Sequence, residues 1–211
     1  MIPMRTIAEQ LDVLENAGVL AFAHNNKADV RTAVAALRAE GSEGLVALHQ
    51  RWFAASELAP LLTLNGKKGF VVGDMTDVDE FTPAGINLPD APLYLVRGVR
   101  RGDDLHNVSP QEALVQFEAS HRRPLTLQEG LSWALSTPAI IEANSCFMTI
   151  GSRKVKRIQR SGEVVYDSRT PALWISSGTG RDGRERRGAP KLGWCWWRNR
   201  HTWLGIASAY A

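Results

Sequence analysis

Apolar residues in the first third of the chain recur at helical spacing. Ile7, Leu11 and Leu14 lie three or four positions apart and predict an amphipathic helix near 5–16. The stretch NKADVRTAVAALRAEG has the same spacing and predicts a second helix near 28–39. The chain therefore begins with two helices, each of which buries one face.

The middle of the chain carries two strong helix-start signals. In SPQE, Ser109 is typical of an N-cap and Glu112 of the acid that completes a capping box. In TLQE, Thr126 and Glu129 repeat this arrangement. These signals predict helices over 110–120 and 127–136. They also explain both glutamates by capping, so neither is a candidate catalytic acid.

From residue 145 onward the chain consists of short strand-like runs. Turn residues separate the runs, and RSGE between two of them is typical of a hairpin. The runs are CFMTIGS, KVKRIQR, EVVYDS, PALWIS, KLGWCWW and TWLGIASA. Because helices come first and strands follow as a block, the order predicts an α+β fold with N-terminal helices and a mainly antiparallel C-terminal sheet.

Length and composition favour one domain. A chain of 211 residues can bury a core, and we expect a single domain over 1–211, with residues 1–44 as a helical appendage. No apolar run approaches the roughly 20 residues that cross a bilayer, and the N-terminus lacks the apolar segment of a signal peptide. The only cysteines, Cys146 and Cys195, lie in apolar runs, which is typical of a reducing compartment. We therefore expect a cytoplasmic protein without membrane contact.

The net charge of +3 is the sum of two oppositely charged regions. Residues 151–211 hold 13 basic and 4 acidic side chains, a net charge of +9. Residues 1–150 hold 12 basic and 18 acidic side chains, a net charge of −6. Regions of this kind can dock on each other, on a second copy in a homodimer, or on a polyanion. The small total charge and the acidic region disfavour nucleic acid as the partner.

Four of the seven tryptophans lie in the segment KLGWCWWRNRHTWLG. RNRH is typical of a four-residue turn, and a hairpin around it would set Trp196 opposite Trp203 and Trp194 opposite Gly205. Trp194, Trp196 and Trp203 would then share one face of a Trp-rich hairpin. That face is either buried core or the wall of a ligand groove, with Gly205 leaving a gap beside Trp194.

Three functions follow from these patterns. The first is a small-molecule or peptide binding module, whose predicted ligand-binding residues are Trp194, Trp196, Trp203, Lys191, His201, Arg198 and Arg200. The second is a polyanion binder that uses the basic residues between 153 and 160. The third is an enzyme in which His201 acts as acid–base with Asp103 or Asp104. An open groove would favour the first function, and an acid within hydrogen-bond reach of His201 would favour the third.

Other chemistry has no support in the sequence. GTGRDG has the glycine spacing of a dinucleotide-binding loop, but no helix follows it, so we expect residues 178–188 to be the most mobile internal loop and dispensable for folding. The five histidines are scattered without ligand spacing, so no metal or other cofactor is predicted. No serine or cysteine stands in a nucleophile context, which favours a binding protein over an enzyme.

Several motifs resemble those of an uncharacterised bacterial family with a domain of unknown function. They are, in order, LAPLLTLNGKKGFV, PDAPLYLV, NVSPQEAL, RPLTLQEGL, PALWIS, PKLGWCWW and HTWLGIASA. The resemblance runs from Leu58 to Ala211 and is densest in the last third. It implies membership of that family and supplies no activity, cofactor or site.

Overall fold

The computed structural model describes residues 3–24, 27–41 and 43–211. These residues form five α-helices: α1 (Ile7–Asn16), α2 (Lys27–Ala39), α3 (Ala55–Leu58), α4 (Pro110–Ala119) and α5 (Leu127–Ser136). They form fourteen strands: β1 (Leu45–Leu48), β2 (Thr63–Leu64), β3 (Lys67–Lys68), β4 (Phe70–Val71), β5 (Phe81–Pro83), β6 (Leu93–Val96), β7 (Arg122–Pro124), β8 (Cys146–Met148), β9 (Ser152–Ile158), β10 (Val164–Tyr166), β11 (Arg169–Ile175), β12 (Pro190–Trp196), β13 (Leu204–Ile206) and β14 (Ser208–Tyr210). The four predicted helices are confirmed. Over the described ranges, no helix is both long enough and apolar enough to cross a membrane.

Capping boxes fix where α1, α4 and α5 begin. In each, a Ser or Thr oxygen accepts a hydrogen bond from a backbone N–H three residues later, and the glutamate at that position accepts one from the cap. The predicted roles of Glu112 and Glu129 as capping acids are therefore confirmed. Glu129 is fully buried and also pairs with Arg123 at 2.8 Å, so it ties the start of α5 to β7.

Helix α5 lies inside the molecule, because all ten of its residues are buried. It contacts β1, β11 and α1. Gly130 permits the sheet to approach, since a Cβ atom there would lie 2.3 Å from the Cγ2 atom of Thr149. Leu11 and Leu14 of α1 belong to the same core as the strands. The core is therefore continuous from the N-terminal helices to the C-terminal sheet.

The largest sheet has five strands in the order β13-β8-β11-β12-β4. Strand β11 pairs antiparallel with both of its neighbours, β8 and β12. The two outer pairs, β4 with β12 and β13 with β8, are parallel. The predicted α+β fold is confirmed, with an antiparallel centre and parallel outer pairs.

The predicted hairpin around RNRH is wrong. Strand β12 pairs with β11 along its whole length, which sets Trp194 opposite Pro171 and Trp196 opposite Arg169. Strand β13 lies beyond β8 and β11, so Trp203, which precedes it, is not paired with Trp196. The physical reason is strand length: β11 and β12 have seven residues each, whereas β13 has three. The longer ladder satisfies more backbone hydrogen-bonding groups.

Charged side chains hold the loop between β11 and β12. Asp182 pairs with the Lys191 Nζ atom at 2.6 Å. The Arg186 guanidinium lies 4.3 Å from the centre of the Phe70 ring. Ion-pair and cation–π contacts thus take the place of apolar packing in this loop, and its mobility and dispensability for folding stay predictions.

The hairpin predicted at RSGE is confirmed, since β9 and β10 pair antiparallel around it. Strand β5 pairs only with the first three residues of β9, so the rest of β9 has β10 as its single neighbour. We call residues 155–165 the arm. Its exposed apolar side chains are Val155, Ile158 and Val164.

Candidate functional site

The predicted site residues belong to β12 and to the turn that follows it. Side chains alternate along a strand, so Lys191 and Gly193 lie on one face of β12. Trp194 and Trp196 lie on the opposite face. Lys191 therefore cannot stand at the rim of a groove lined by these two indoles.

The first face of β12 is covered by Trp174 of β11. Trp174 is directly opposite Lys191 in the ladder, and the Lys191 Nζ atom lies 4.8 Å from the centre of the indole. The ring lies against Gly193, where a Cβ atom would be 2.6 Å from the Trp174 Cη2 atom. Since Lys191 is also paired with Asp182, this contact fastens the loop to the sheet and leaves no free charge for a ligand.

Trp203 and His201 extend this aromatic group. The ring centre of Trp203 lies 6.3 Å from that of Trp174 and 5.7 Å from that of His201, both edge-to-face. Burial lowers the pKa of His201, which favours the neutral imidazole. Its Nε2 atom has no hydrogen-bond partner among the described residues, and Asp103 pairs instead with Arg101 at 2.8 Å. The structure brings neither predicted acid to His201.

On the opposite face, Trp194 and Trp196 form an edge-to-face pair with ring centres 4.5 Å apart. Trp194 packs against the hydrophobic core. Trp196 is 45 % exposed. Position along the strand accounts for the difference, because buried residues lie on both sides of Trp194, whereas Trp196 is the last residue of β12.

The turn after β12 rests on the beginning of α4. The backbone N–H of Gln111 donates to the Trp197 carbonyl at 3.3 Å. The Arg200 guanidinium forms two hydrogen bonds with the Glu112 carboxylate. Arg200 and the Ser109 cap together lower the pKa of Glu112 to about 2. The capping acid of α4 therefore also neutralises one of the two arginines of the turn.

A cleft of about 450 Å³ lies between the turn and α4. We call it the turn cleft, and its lining is Ser109, Gln111, Glu112, Val115, Arg198 and Arg200. Val115 is 64 % exposed, and Trp196 lies two positions before Arg198 in the chain. Over the described ranges, Arg198 forms no ion pair. The cleft thus combines an exposed apolar side chain with a guanidinium whose charge is not neutralised.

Trp197 has a structural partner, the guanidinium of Arg153. This group lies 3.8 Å from the centre of the Trp197 indole and 5.3 Å from that of the Tyr166 ring. Burial lowers the pKa of Arg153 to about 10. Lys154 pairs with Asp77 at 2.7 Å. Two of the five basic residues predicted for polyanion binding are therefore occupied inside the protein.

The cysteines have the properties of core residues. Both thiols are unpaired and buried. Burial raises the pKa of Cys146 to about 11 and that of Cys195 to about 12. Neither thiol is a nucleophile at neutral pH. In the part of the chain that the structure describes, no three His, Cys, Asp or Glu side chains come together as metal ligands.

The sequence motifs predict membership of a family of unknown function, and a match over most of the chain confirms it. A family of unknown function (DUF5701) matches residues 9–211. The chain belongs to this DUF5701 family. No curated protein matches this DUF5701 chain, and no solved structure does so.

The predicted residues of this DUF5701 chain fall into three groups. The first group is Lys191, Trp203 and His201, which belong to the aromatic cluster of Trp174. The second is the pair of Trp194 and Trp196. The third is Arg198 and Arg200, which line the turn cleft. Sequence reasoning missed Trp174 and Val115. The similar lengths of PALWIS and KLGWCWW, on either side of one polar loop, could have indicated that these strands pair.

Proposed function

We propose that this DUF5701 chain is a binding protein whose turn cleft holds a small molecule or peptide with an apolar group beside a carboxylate. The observation that carries this proposal is the juxtaposition of exposed Val115 and unpaired Arg198 in one cleft of about 450 Å³. A pocket of this size suits a small ligand, and a few polar groups among apolar ones fix its orientation.

The charge of the cleft selects an acidic ligand. Glu112 and Arg200 neutralise each other, so Arg198 supplies the net charge. A guanidinium presents a planar set of donors that matches a carboxylate. Trp196 supplies exposed apolar surface in the strand that leads into the turn. An aromatic residue with an arginine nearby is a common composition at binding hot spots.

The other two functions receive less support from the geometry. An enzymatic function would need an acid beside His201, but the His201 Nε2 atom has no hydrogen-bond partner among the described residues. The polyanion binder retains Lys156, Arg157 and Arg160 on the arm, but Arg153 and Lys154 are occupied by internal partners. Binding at the turn cleft needs neither an acid beside His201 nor the release of Arg153 and Lys154 from their internal partners.

A pair of probes that differ only in charge tests the proposal. We expect N-acetyl-phenylalanine to shift the NMR resonances of the Val115 methyl groups and the Trp196 indole N–H. The amide of the same compound should bind about tenfold more weakly, because it lacks the charge that Arg198 recognises. Arg198→Gln should remove this preference while the protein remains folded.

The matched control is Arg160→Gln, which removes an exposed arginine from the turn of the arm. It should leave both affinities unchanged. Absence of any shift at Val115 and Trp196 would overturn the proposal, as would equal binding of acid and amide by the wild type.

A further inference from the structure

A second cleft, of about 250 Å³, lies at the other end of α4. The loop before α4 forms one wall, with Arg100, and the C-terminal end of the helix forms another, with Phe117. Its lining also includes Asp104, Arg122 and Ser208. We call this the arginine cleft. It shares no residue with the turn cleft.

Arg122 is fixed in place without neutralisation of its charge. Its Nε atom donates to the Ser208 Oγ atom at 2.9 Å, and its Nη2 atom donates to the Gly98 carbonyl at 2.6 Å. The guanidinium also lies 5.4 Å from the centre of the Tyr210 ring. None of these partners is an anion, and the Nη1 atom has no acceptor among the described residues.

Arg100 adds a second positive charge to the cleft. Its backbone exchanges hydrogen bonds with Ser208, at 2.8 Å and 3.0 Å, so the position of the residue is fixed while its side chain remains exposed. Burial and then the charge of Arg100 lower the pKa of Arg122, and the charges of Tyr210 and Asp104 act in the opposite direction. Within the described ranges, no carboxylate lies within 4.0 Å of either guanidinium, and Asp104, which also lines the cleft, forms no ion pair.

The loop that carries Arg100 has a conformation that only glycine accepts. Gly102 has a φ of 79°, and a Cβ atom there would lie 2.1 Å from the Ile206 carbonyl oxygen. Gly98 has a φ of 64°, and a Cβ atom there would lie 2.5 Å from the Tyr210 ring. The backbone is thus closely packed on both sides of Arg100. Two like charges are held near one cleft by a tightly specified loop.

The C-terminal end of α4, beside the cleft, repels an anion less than a helix end whose carbonyls are all unpaired. Exposed carbonyls at a helix C-terminus repel negative charge. Here the Ser120 Oγ atom donates to the Gln116 carbonyl at 2.7 Å and lies 3.3 Å from that of Phe117. The side chain of Phe117 itself is buried and gives the cleft an apolar wall.

We propose that the arginine cleft binds the phosphoryl group of a small molecule between Arg100 and Arg122. Two guanidiniums provide the charge and the donors that a phosphate dianion requires. The size of the cleft favours a compact phosphate monoester over a long polyanion. The Asp104 carboxylate in the lining repels an anion, and the two guanidiniums exceed it in charge. The site is independent of the proposed function at the turn cleft.

Inorganic phosphate and phenyl phosphate are the probes, with sodium chloride at equal ionic strength as the reference. We expect both phosphates to raise the melting temperature above the chloride reference and to shift the NMR resonance of the Arg122 Nε–H group. Arg100→Ala should weaken this binding at least about tenfold, because half of the charge is lost. The arginine is exposed, so the variant is expected to fold.

Arg122→Lys retains one charge but loses the planar donors, and it should also weaken binding. Arg198→Gln, at the turn cleft, should have no effect on phosphate, which separates this proposal from the proposed function. Equal stabilisation of wild type and Arg100→Ala by phosphate would overturn the proposal, as would a response to phosphate no larger than the response to chloride.

Discussion

The two ends of β12 differ sharply although they belong to one continuous strand. At its beginning, Lys191 and Leu192 have β11 on one side and β4 on the other. At its end, Trp196 has β11 alone. Trp194 and Trp196 share a face, and the first packs against the core while the second is exposed. The role of a tryptophan here depends on its distance from the end of the strand, because Trp194 lies between buried residues and Trp196 is the last residue of β12.

Truncation of the two indoles should show the largest difference between the ends of β12. We expect Trp194→Ala to lower the free energy of unfolding by about 3 kcal/mol, at the low end of the range for aromatic core residues because Trp194 is only partly buried. Trp196→Ala should cost about 1 kcal/mol, mainly through its edge-to-face contact with Trp194. Urea unfolding of both variants measures these values. Equal losses would show that the two ends of the strand are equally buried.

Gly193→Ala tests the opposite face of the same strand. The added Cβ atom would lie 2.6 Å from the Trp174 indole, so the ring must move, and we expect a loss of about 1–2 kcal/mol. A change in tryptophan fluorescence should accompany it. The control is Gly73→Ala, where a Cβ atom meets nothing within 4 Å. A Gly193→Ala variant as stable as Gly73→Ala would mean that Trp174 does not depend on this gap.

The smallest expected effect is a pH dependence due to His201. Burial places its folded pKa below the ordinary value of 6.5, so the unfolded state binds the proton more readily. The stability associated with the neutral ring is fully present above pH 6.5 and is lost as the pH falls toward the folded pKa. His201→Gln should reduce the slope of stability against pH in this window, by at most about 1.4 kcal/mol per pH unit.

Two other histidines affect how the pH dependence is interpreted. Burial also lowers the pKa of His49, so the variant should retain part of the slope. His121 is exposed with a φ of 52°, and His121→Asn is the control because asparagine tolerates this conformation. A slope that is the same in wild type and His201→Gln would contradict the assignment of a partly buried ring with a lowered pKa.

The sequence predicted what local interactions determine and missed what distant ones determine. Helices α4 and α5 were predictable because their capping boxes lie within four consecutive residues. The pairing of β12 was not, because RNRH has the composition of a turn whether or not the next strand returns beside the last one. The same error assigned the gap for an indole to Gly205. That glycine accommodates the backbone of Arg101 and Gly102 instead.

The candidate site was predicted in part for the same reason. Arg198 and Arg200 were named because they are basic residues beside tryptophans. Their meeting with Val115 depends on how α4 packs under the turn, and helical periodicity cannot supply that information. Trp174 was missed because it comes to Lys191 through the register of β11 and β12 across the loop at 178–188.

The parallel outer pairs of the large sheet also determine the order in which it can assemble. Phe70 can pair only when Lys191, more than half the chain away, is in place. Cys146 can pair with β13 only when Leu204 is in place. Closing such long loops costs entropy before any contact compensates, so we expect slow folding for a protein of this size. During synthesis, β11 and β12 can form their hairpin first, whereas β8 gains its parallel partner only after residues 204–206 have been made. A chain that ends before Leu204 would leave the outer edge of β8 unpaired, and an unpaired strand edge is a recognised route to aggregation.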